Sequence, residues 1–129
     1  MAPAVRALRG ATTVDVDTPE HIEERVVALL DTMLARNDVD HDDLISILFT
    51  ATEDVVSTFP ATAARKSGLG DVPLICAREL EIDASMPMVV RMLAHVETDL
   101  VRSDVTHVYL HGAAALRRDL NRVRAVPDD

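Results

Sequence analysis

The sequence predicts a mixed α/β fold of the α+β class, built on one β-sheet with helices on one of its faces. Several short segments alternate apolar and polar side chains at the period of a strand, and one longer segment repeats apolar side chains at the period of a helix. The chain has 129 residues, enough for one hydrophobic core, so a single domain over residues 1–129 is expected. The predicted order is β-α-β-α-β-β-β.

The first strand is predicted over Ala4–Thr13, where small and apolar side chains alternate with arginines. At a period of two, Arg9 shares a face with Ala7 and Ala11, so a cation points at a surface of small residues. Taken alone, an edge-strand arginine in solvent explains Arg9 equally well.

An amphipathic helix follows. Thr18 supplies a capping hydroxyl, Pro19 suits the first helical position, and Glu20 is an acid beside the positive end of the helix dipole. Apolar residues then recur at helical spacing as far as Arg36, so this helix is expected to pack on the sheet.

The second strand is predicted over residues 44–52, and its nearly continuous apolar run predicts burial on both faces. Pro60 is expected to start a short helix that runs to Ser67. The segment Gly68-Leu69-Gly70 ends that helix, because glycine is the usual residue just past a helix end.

Residues 72–76 form the third extended run, and polar residues that include Glu79 follow it. Cys76 and Glu79 are three positions apart, so a regular strand would send their side chains to opposite faces. If both side chains serve one site, the strand must end near Cys76.

The fourth strand, residues 88–97, contains Arg91 in an otherwise nearly apolar run. At a period of two, one face is wholly apolar and Arg91 lies on the other. Helical spacing also fits part of the run, but Pro87 and the valines favour a strand. An unpartnered guanidinium is costly among apolar neighbours, so Arg91 must meet a carboxylate, a carbonyl or an anionic ligand.

The fifth strand is predicted over residues 105–111, with Val108 and Leu110 on one face and Tyr109 on the other. Residues 122–129 are polar and are expected to be a mobile tail. Two helices cover only one face of such a sheet, so a second copy of the chain is the expected cover of the other face.

The composition excludes several kinds of function. A net charge of -9 without a basic stripe disfavours nucleic acid. The sequence shows no membrane span or leader and has one cysteine, so a cytoplasmic protein is expected. The five histidines form no metal motif, and Gly68-Leu69-Gly70 is not a phosphate loop, so neither metal nor cofactor is expected. Cys76 has no recognisable base and is interpreted as a small buried hydrophobe.

The groups left for chemistry are cations and hydrogen-bonding side chains. They are Arg9, Arg65, Arg91, Arg117, Tyr109 and Glu79. Each alone has an explanation as a surface group. Together, on short strands, they predict a pocket for a small molecule with more than one carboxylate and a hydroxyl.

Several short motifs occur in a fixed order along residues 4–121. They are Arg9-Gly10-Ala11-Thr12-Thr13, Ala51-Thr52-Glu53-Asp54, Phe59-Pro60-Ala61 with Arg65, Val72-Pro73 with Cys76 and Glu79, Arg91, and His107-Val108-Tyr109-Leu110 leading to Leu116-Arg117. Each motif is weak, but the ordered series is specific and resembles the AroH class of chorismate mutases. The resemblance implies a single mixed β-sheet flanked by helices. It also implies a homotrimer whose three sheets pack as a pseudo-α/β-barrel, with active sites between neighbouring chains.

The resemblance also implies roles for individual residues. Arg91 would hydrogen-bond the ether oxygen of the breaking bond, and Arg9 with Tyr109 would hold the enolpyruvyl carboxylate. Glu79 would bind the ring hydroxyl, with Cys76 beside it. Further contacts to the substrate are implied for Phe59 and Ala61 of the neighbouring chain, and for Ile75, Arg65, Leu116 and Arg117.

The implied reaction is the Claisen rearrangement of chorismate to prephenate in phenylalanine and tyrosine biosynthesis, which needs no nucleophile, proton transfer or metal. Two departures from the family concern the mouth of the site: the segment 66–71 is shorter than usual, and Arg118 stands where proline is common. The alternative is a non-catalytic trimeric module that binds or senses a small carboxylate. Loss of chorismate with formation of prephenate separates the two hypotheses.

Overall fold

The fold is that of a computed structural model, which describes residues 3–117. These residues form one five-stranded sheet and two α-helices. The elements are β1 (Ala4–Thr13), α1 (Pro19–Arg36), β2 (Leu44–Ala51), α2 (Pro60–Ala64), β3 (Leu74–Arg78), β4 (Val89–Thr98) and β5 (Val108–Leu110). The predicted element order and class are confirmed.

The sheet has the strand order β3-β2-β4-β1-β5. Strand β4 pairs antiparallel with both β1 and β2, whereas β2 with β3 and β1 with β5 are parallel pairs. The sheet is therefore mixed, as predicted. The long β4 lies at its centre and carries Arg91 there.

The start of α1 follows the predicted capping pattern. The Thr18 hydroxyl accepts a hydrogen bond from the His21 amide at 3.2 Å, and Pro19 is the first helical residue. Five side chains of the helix are buried: Ile22, Val26, Leu29, Leu30 and Met33. This apolar stripe packs on the sheet and fixes which sheet face is internal.

The hydrophobic core lies between the two helices and one face of the sheet. Phe49 on β2 and Met92 on β4 are almost fully buried there, together with Leu8 on β1. We call this the helix face of the sheet and the opposite side the open face. Side chains alternate between the two, so the neighbours of each core residue along a strand point to the open face.

The prediction that β2 is buried on both faces is wrong for the single chain. Ile47 and Phe49 are buried, but Ile45 is 40% exposed and Thr50 is only half-buried. The run is nearly all apolar, yet only the helix face is covered by this chain.

The short helix α2 starts at Pro60, as predicted, and continues into a wider turn over Arg65–Leu69. Gly68 has a φ of 108°, a left-handed conformation that glycine adopts without steric cost. The helical segment therefore ends at the predicted glycine.

Strand β3 runs to Arg78, two residues beyond the point at which a site shared by Cys76 and Glu79 would require it to end. Cys76 lies opposite Phe49 in the parallel register. Backbone pairing between β2 and the chain after β3 continues to Glu79, whose amide donates to the Ala51 carbonyl at 3.0 Å. Regular pairing therefore keeps Cys76 and Glu79 on different faces.

Strand β5 is shorter than predicted, because side chains replace part of its ladder. The buried Asn37 accepts from the Thr106 amide at 2.7 Å and donates to the Thr106 carbonyl at 2.8 Å. Regular pairing with β1 begins only at Val108, whose side chain is buried, while Tyr109 faces the other way as predicted.

The predicted tail, residues 122–129, lies outside the described residues. Among residues 3–117, no helix is both long and apolar enough to cross a membrane.

Candidate active site

One row of residues crosses the whole sheet on its open face. Backbone pairing places its members side by side in the order Ala77, Thr50, Arg91, Ala11, Tyr109. Arg91 is thus the central cation of the row, and the alternation of β4 aims it away from the helices, as the sequence predicted. The small Ala11 separates it from Tyr109.

Glu79 is the partner of Arg91. The Nε atom of Arg91 lies 3.1 Å from Oε1 and 3.0 Å from Oε2 of Glu79. The carboxylate is the more buried member, with 18% of the Glu79 side chain exposed against 41% for Arg91. The required partner of the arginine is therefore a carboxylate on a neighbouring segment.

The Arg91 guanidinium contacts Glu79 through its Nε atom only. In the part of the chain that the structure describes, the terminal Nη1 and Nη2 atoms of Arg91 have no hydrogen-bond partner. Arginine has five N–H donors in a planar fork, so four remain available to a ligand oxygen. The pair thus presents oriented positive charge to the open face.

Thr50 holds the same carboxylate from its other side. Its Oγ1 donates a hydrogen bond to Glu79 Oε2. Thr50 pairs with Arg91 in the β2–β4 register, so the hydroxyl and the guanidinium stand next to each other. Glu79 is consequently fixed by two donors from adjacent strands.

A cleft of about 470 Å³ opens in front of this pair. Arg91, Glu79 and Val89 form its sheet side, and the loop between β3 and β4 with Leu116 forms its walls. Leu116 lies in the 3₁₀ segment His111–Arg117, which follows β5. This cleft brings together three of the sequence-predicted residues.

The start of β4 is clamped beside the cleft. The Asp54 carboxylate accepts from the Met88 amide at 3.0 Å, and the Thr52 hydroxyl accepts from the Val89 amide at 3.0 Å. Met88 has a φ of 55°, which is uncommon for a residue with a side chain. The clamp holds this turn three residues before Arg91.

Arg9 lies on the open face diagonally across from Arg91. Its register partner on β4 is Leu93, two positions from Arg91, and such diagonal neighbours are roughly 7–8 Å apart. The Arg9 amide donates to His107 Nδ1 at 3.0 Å. A cavity of about 450 Å³ beside Arg9 is lined by further basic groups, among them His95 and Arg102.

Tyr109 and Leu116 pack around a small second core on the open face. Its buried members are Ala11, Val89 and Ala113, and Met86 packs against it as well. This cluster anchors the 3₁₀ segment against β1 and holds Tyr109 at the end of the row that contains Arg91.

Within one chain Cys76 does not lie beside Glu79, so their action at one site stays a prediction. Cys76 packs against the core on the helix face, whereas Glu79 meets Thr50 and Arg91 on the open face. A separate cleft of about 440 Å³ is lined by Cys76 together with Phe59. The structure therefore groups Cys76 with Phe59.

Phe59 is 67% exposed, which suits a residue that contributes to a site elsewhere. Ala61 is only 4% exposed and packs in the core, and its expected place on a pocket wall stays a prediction. Pro60 starts α2 at this point, and the first turn of that helix directs Ala61 inward.

The residues expected at the mouth lie on exposed or half-exposed positions. Arg65 is exposed and donates to Thr62 Oγ1 at 3.3 Å, and Arg117 is half-buried at the end of the described chain. Ile75 on the edge strand β3 is 64% exposed. Arg118 lies outside the described residues.

Acidic groups surround the loop beyond Glu79. A side-chain hydrogen bond with Glu81, and then repulsion from its charge, raise the pKa of Glu53 above its usual value. Within residues 3–117, no group of three or more His, Cys, Asp and Glu residues could hold a metal ion.

Sequence reasoning missed Thr50 as part of the site. Its signal is weak, because a threonine in a half-buried strand is ordinary. Only the register between β2 and β4, which places Thr50 beside Arg91, gives it significance.

The chain matches known proteins over most of its length. The family model described as chorismate mutase type I covers residues 5–120. Chorismate mutase AroH of Thermus thermophilus is 47% identical over 90% of this chain and 96% of that protein. Chorismate mutase AroH of Bacillus subtilis is 36% identical over 91% of this chain and 93% of that protein. The solved structure of a chorismate mutase from Clostridium thermocellum superposes with a TM-score of 0.83 at 41% identity, covering 85% of this chain and 98% of the other.

Proposed function

The chain belongs to the chorismate mutase type I family, and from that premise we propose that the cleft at Arg91 and Glu79 is its catalytic centre. The protein is an enzyme, an isomerase that converts chorismate to prephenate. The comparisons give no support to the alternative of a non-catalytic binding module. The observation that carries the proposed site is the arginine held by one edge with its terminal nitrogens directed to the cleft.

The rearrangement of chorismate requires the protein to supply a binding site of the right shape and a fixed positive charge. In the rearrangement the ether C–O bond breaks while a C–C bond forms within one molecule, so no nucleophile or proton transfer is needed. Catalysis then rests on holding the substrate in a compact conformer and on stabilising charge that develops in the transition state. Both tasks need fixed groups.

Arg91 is assigned to the ether oxygen, which gains negative charge as its bond to carbon lengthens. A preorganised cation stabilises that oxygen more in the transition state than in the ground state. Its position supports this role, because Glu79 fixes the guanidinium through Nε and leaves both terminal nitrogens to donate.

Glu79 is assigned to the ring hydroxyl, and Arg9 with Tyr109 to the enolpyruvyl carboxylate. Glu79 carries accepting oxygens at the rim of the same cleft. Arg9 and Tyr109 lie on β1 and β5, on the far side of Arg91 from Glu79. This order suits a ligand whose hydroxyl and carboxylate point to opposite sides of the breaking bond.

We assign Phe59 and Cys76 to a neighbouring chain of a homotrimer. Phe59 and Cys76 line a separate cleft of the same chain, away from Arg91, so they reach a substrate at Arg91 only from another copy. Arg65, Leu116, Arg117 and Ile75 are placed around the mouth of the composite site, near the ring carboxylate. Ala61, in the first turn of α2 next to Phe59, is assigned to the same wall as Phe59.

The proposed place of action is aromatic amino-acid biosynthesis in the cytoplasm. The conversion of chorismate to prephenate supports the pathway, and the presence of one cysteine fits a reducing compartment. The net charge of -9 opposes arrival of an anionic substrate. At physiological salt the screening length is about 8 Å, so arginines near the mouth outweigh distant carboxylates.

The direct test is turnover by the purified protein. Loss of chorismate absorbance with stoichiometric prephenate establishes the activity, and a parallel assay of Arg91→Ala and Arg102→Ala locates it. The proposed site requires that Arg91→Ala lose nearly all turnover while Arg102→Ala, on the neighbouring basic cavity, keeps kcat within about threefold. If Arg102→Ala lost turnover and Arg91→Ala kept it, the active site would not be the cleft at Arg91.

A further inference from the structure

We infer that Thr50 is a positioning residue of this site: its hydroxyl holds the Glu79 carboxylate in the orientation that leaves the terminal nitrogens of Arg91 facing the substrate. The inference deepens the proposed function, because it rests on Arg91 and Glu79 forming the catalytic centre. It is argued from the geometry of three side chains.

The backbone places Thr50 beside both partners. It pairs with Arg91 on β4 and with Ala77 on β3, and the Glu79 amide bonds to the Ala51 carbonyl one residue further along β2. Thr50 therefore lies between the cation and the anion of the pair. A β-branched side chain has few χ1 rotamers, so its hydroxyl is a stiff donor.

The Thr50 hydroxyl determines which nitrogen of Arg91 the Glu79 carboxylate contacts. Thr50 Oγ1 donates to Oε2 of Glu79, while Arg91 Nε is shared between Oε1 and Oε2. A glutamate free of this hydrogen bond has three side-chain torsions with which to swing toward the outer nitrogens of Arg91. A two-pronged pairing there would use the donors assigned to the ether oxygen.

Thr50→Val tests this arrangement, because valine keeps the shape of threonine and loses the hydroxyl. Thr50→Ser keeps the hydroxyl and loses the methyl group. Ser46→Ala is the matched control: it removes a hydroxyl from the same strand, where Ser46 lies near His95 instead of Glu79. All three substitutions leave the core on the helix face untouched.

Kinetics give the first readout. We expect Thr50→Val to lower kcat by about tenfold, the usual scale of a lost hydrogen bond to a charged group, with a smaller change in KM. Thr50→Ser and Ser46→Ala should stay within about twofold of the unmodified enzyme. In a Glu79→Ala background, Thr50→Val should have no further effect, since the group that it positions is gone.

A second readout does not depend on turnover. Nitrogen-15 NMR of the arginine Nε–H groups reports whether Arg91 Nε is still bonded to Glu79, through its hydrogen-exchange rate. Faster exchange at Arg91 in Thr50→Val, restored in Thr50→Ser, supports the inference even if the chemistry proves to lie elsewhere. Unchanged exchange and unchanged kcat in Thr50→Val would overturn it, as would Thr50→Ser behaving like Thr50→Val.

Discussion

Gly10 lies where β1 passes beneath α1, and the absence of a side chain sets how closely the helix approaches the sheet. A Cβ atom at this position would stand 2.4 Å from Met33 Sδ and 3.2 Å from both Leu29 Cδ1 and the Val108 carbonyl oxygen. The methionine can move, but the backbone carbonyl on β5 cannot move without shifting that strand. The residue is thus required by packing, in the strand that also carries Arg9.

Gly10→Ala is expected to reduce the free energy of unfolding by about 1–3 kcal/mol, the usual cost of overpacking a core. Urea denaturation measures the change. Gly70→Ala is the matched control, since its added Cβ meets nothing within 4 Å and the residue already has helical φ and ψ. Equal free energies of unfolding for Gly10→Ala and Gly70→Ala would contradict a close contact between Gly10 and α1.

Strand β5 shows how an element is held when its ladder is incomplete. Asn37, just after α1, donates to the carbonyls of Met33 and Thr106 and accepts from the Thr106 amide. It is 2% exposed, so each of these groups would be left without water if the amide were removed. The side chain fixes the approach to β5 and therefore the position of Tyr109.

Asn37→Ala is expected to cost about 2–4 kcal/mol in unfolding free energy, because it leaves buried backbone groups unpaired. We also expect a raised KM for chorismate, since Tyr109 follows Thr106 on the same segment. Chemical denaturation and steady-state kinetics measure the two effects. Thr32→Val is the control: its exposed hydroxyl bonds only to the Ala28 carbonyl, so it should change stability by less than about 0.5 kcal/mol.

The element pattern was predictable where periodicity is strong, and the site was predictable only in part. Alternation in β4 placed Arg91 on the face away from the core, and capping chemistry placed the start of α1 at Pro19. The start of β5 was not predictable, because it depends on Asn37, which is distant in sequence. The hydrogen bond between Thr50 and Glu79 depends on how the strands are aligned with each other. Side-chain alternation within one strand does not predict that alignment.

At the scale of the whole molecule, the chain leaves apolar surface that a soluble domain normally covers. Five large apolar side chains in or next to the edge strand β3 and the segment before α2 are more than 60% exposed: Val56, Phe59, Ile75, Leu80 and Ile82. Exposed apolar groups in such number mark an interaction surface. The proposed trimer covers them and completes the site with Phe59 and Cys76.

If the active site is shared between chains, two inactive variants should rescue each other. Arg91→Ala removes one half of the site and Phe59→Asp places a charge in the other half. Hybrid trimers formed by co-refolding should regain activity, because one site in each hybrid then contains two intact halves, which is about a quarter of all sites in an equal mixture. Sedimentation at three times the 14.1 kDa chain mass confirms assembly of each variant.

The control mixes Arg91→Ala with Glu79→Ala. Both residues lie in the same half of the site, so no hybrid contains an intact one and no recovery is expected. Recovery in this control, or none in the first mixture although both variants assemble, would contradict a site shared between chains.

The central claim is that the positive charge of Arg91 stabilises the transition state, and citrulline in place of Arg91 tests it most directly. Citrulline has nearly the same shape and keeps the Nε–H that bonds to Glu79, but it has no charge. The measurement is kcat of the semisynthetic enzyme, with its melting temperature as evidence of folding. We expect kcat to fall by at least ~10²–10³ with the fold intact. A folded citrulline enzyme with kcat within about tenfold of the unmodified protein would contradict the claim.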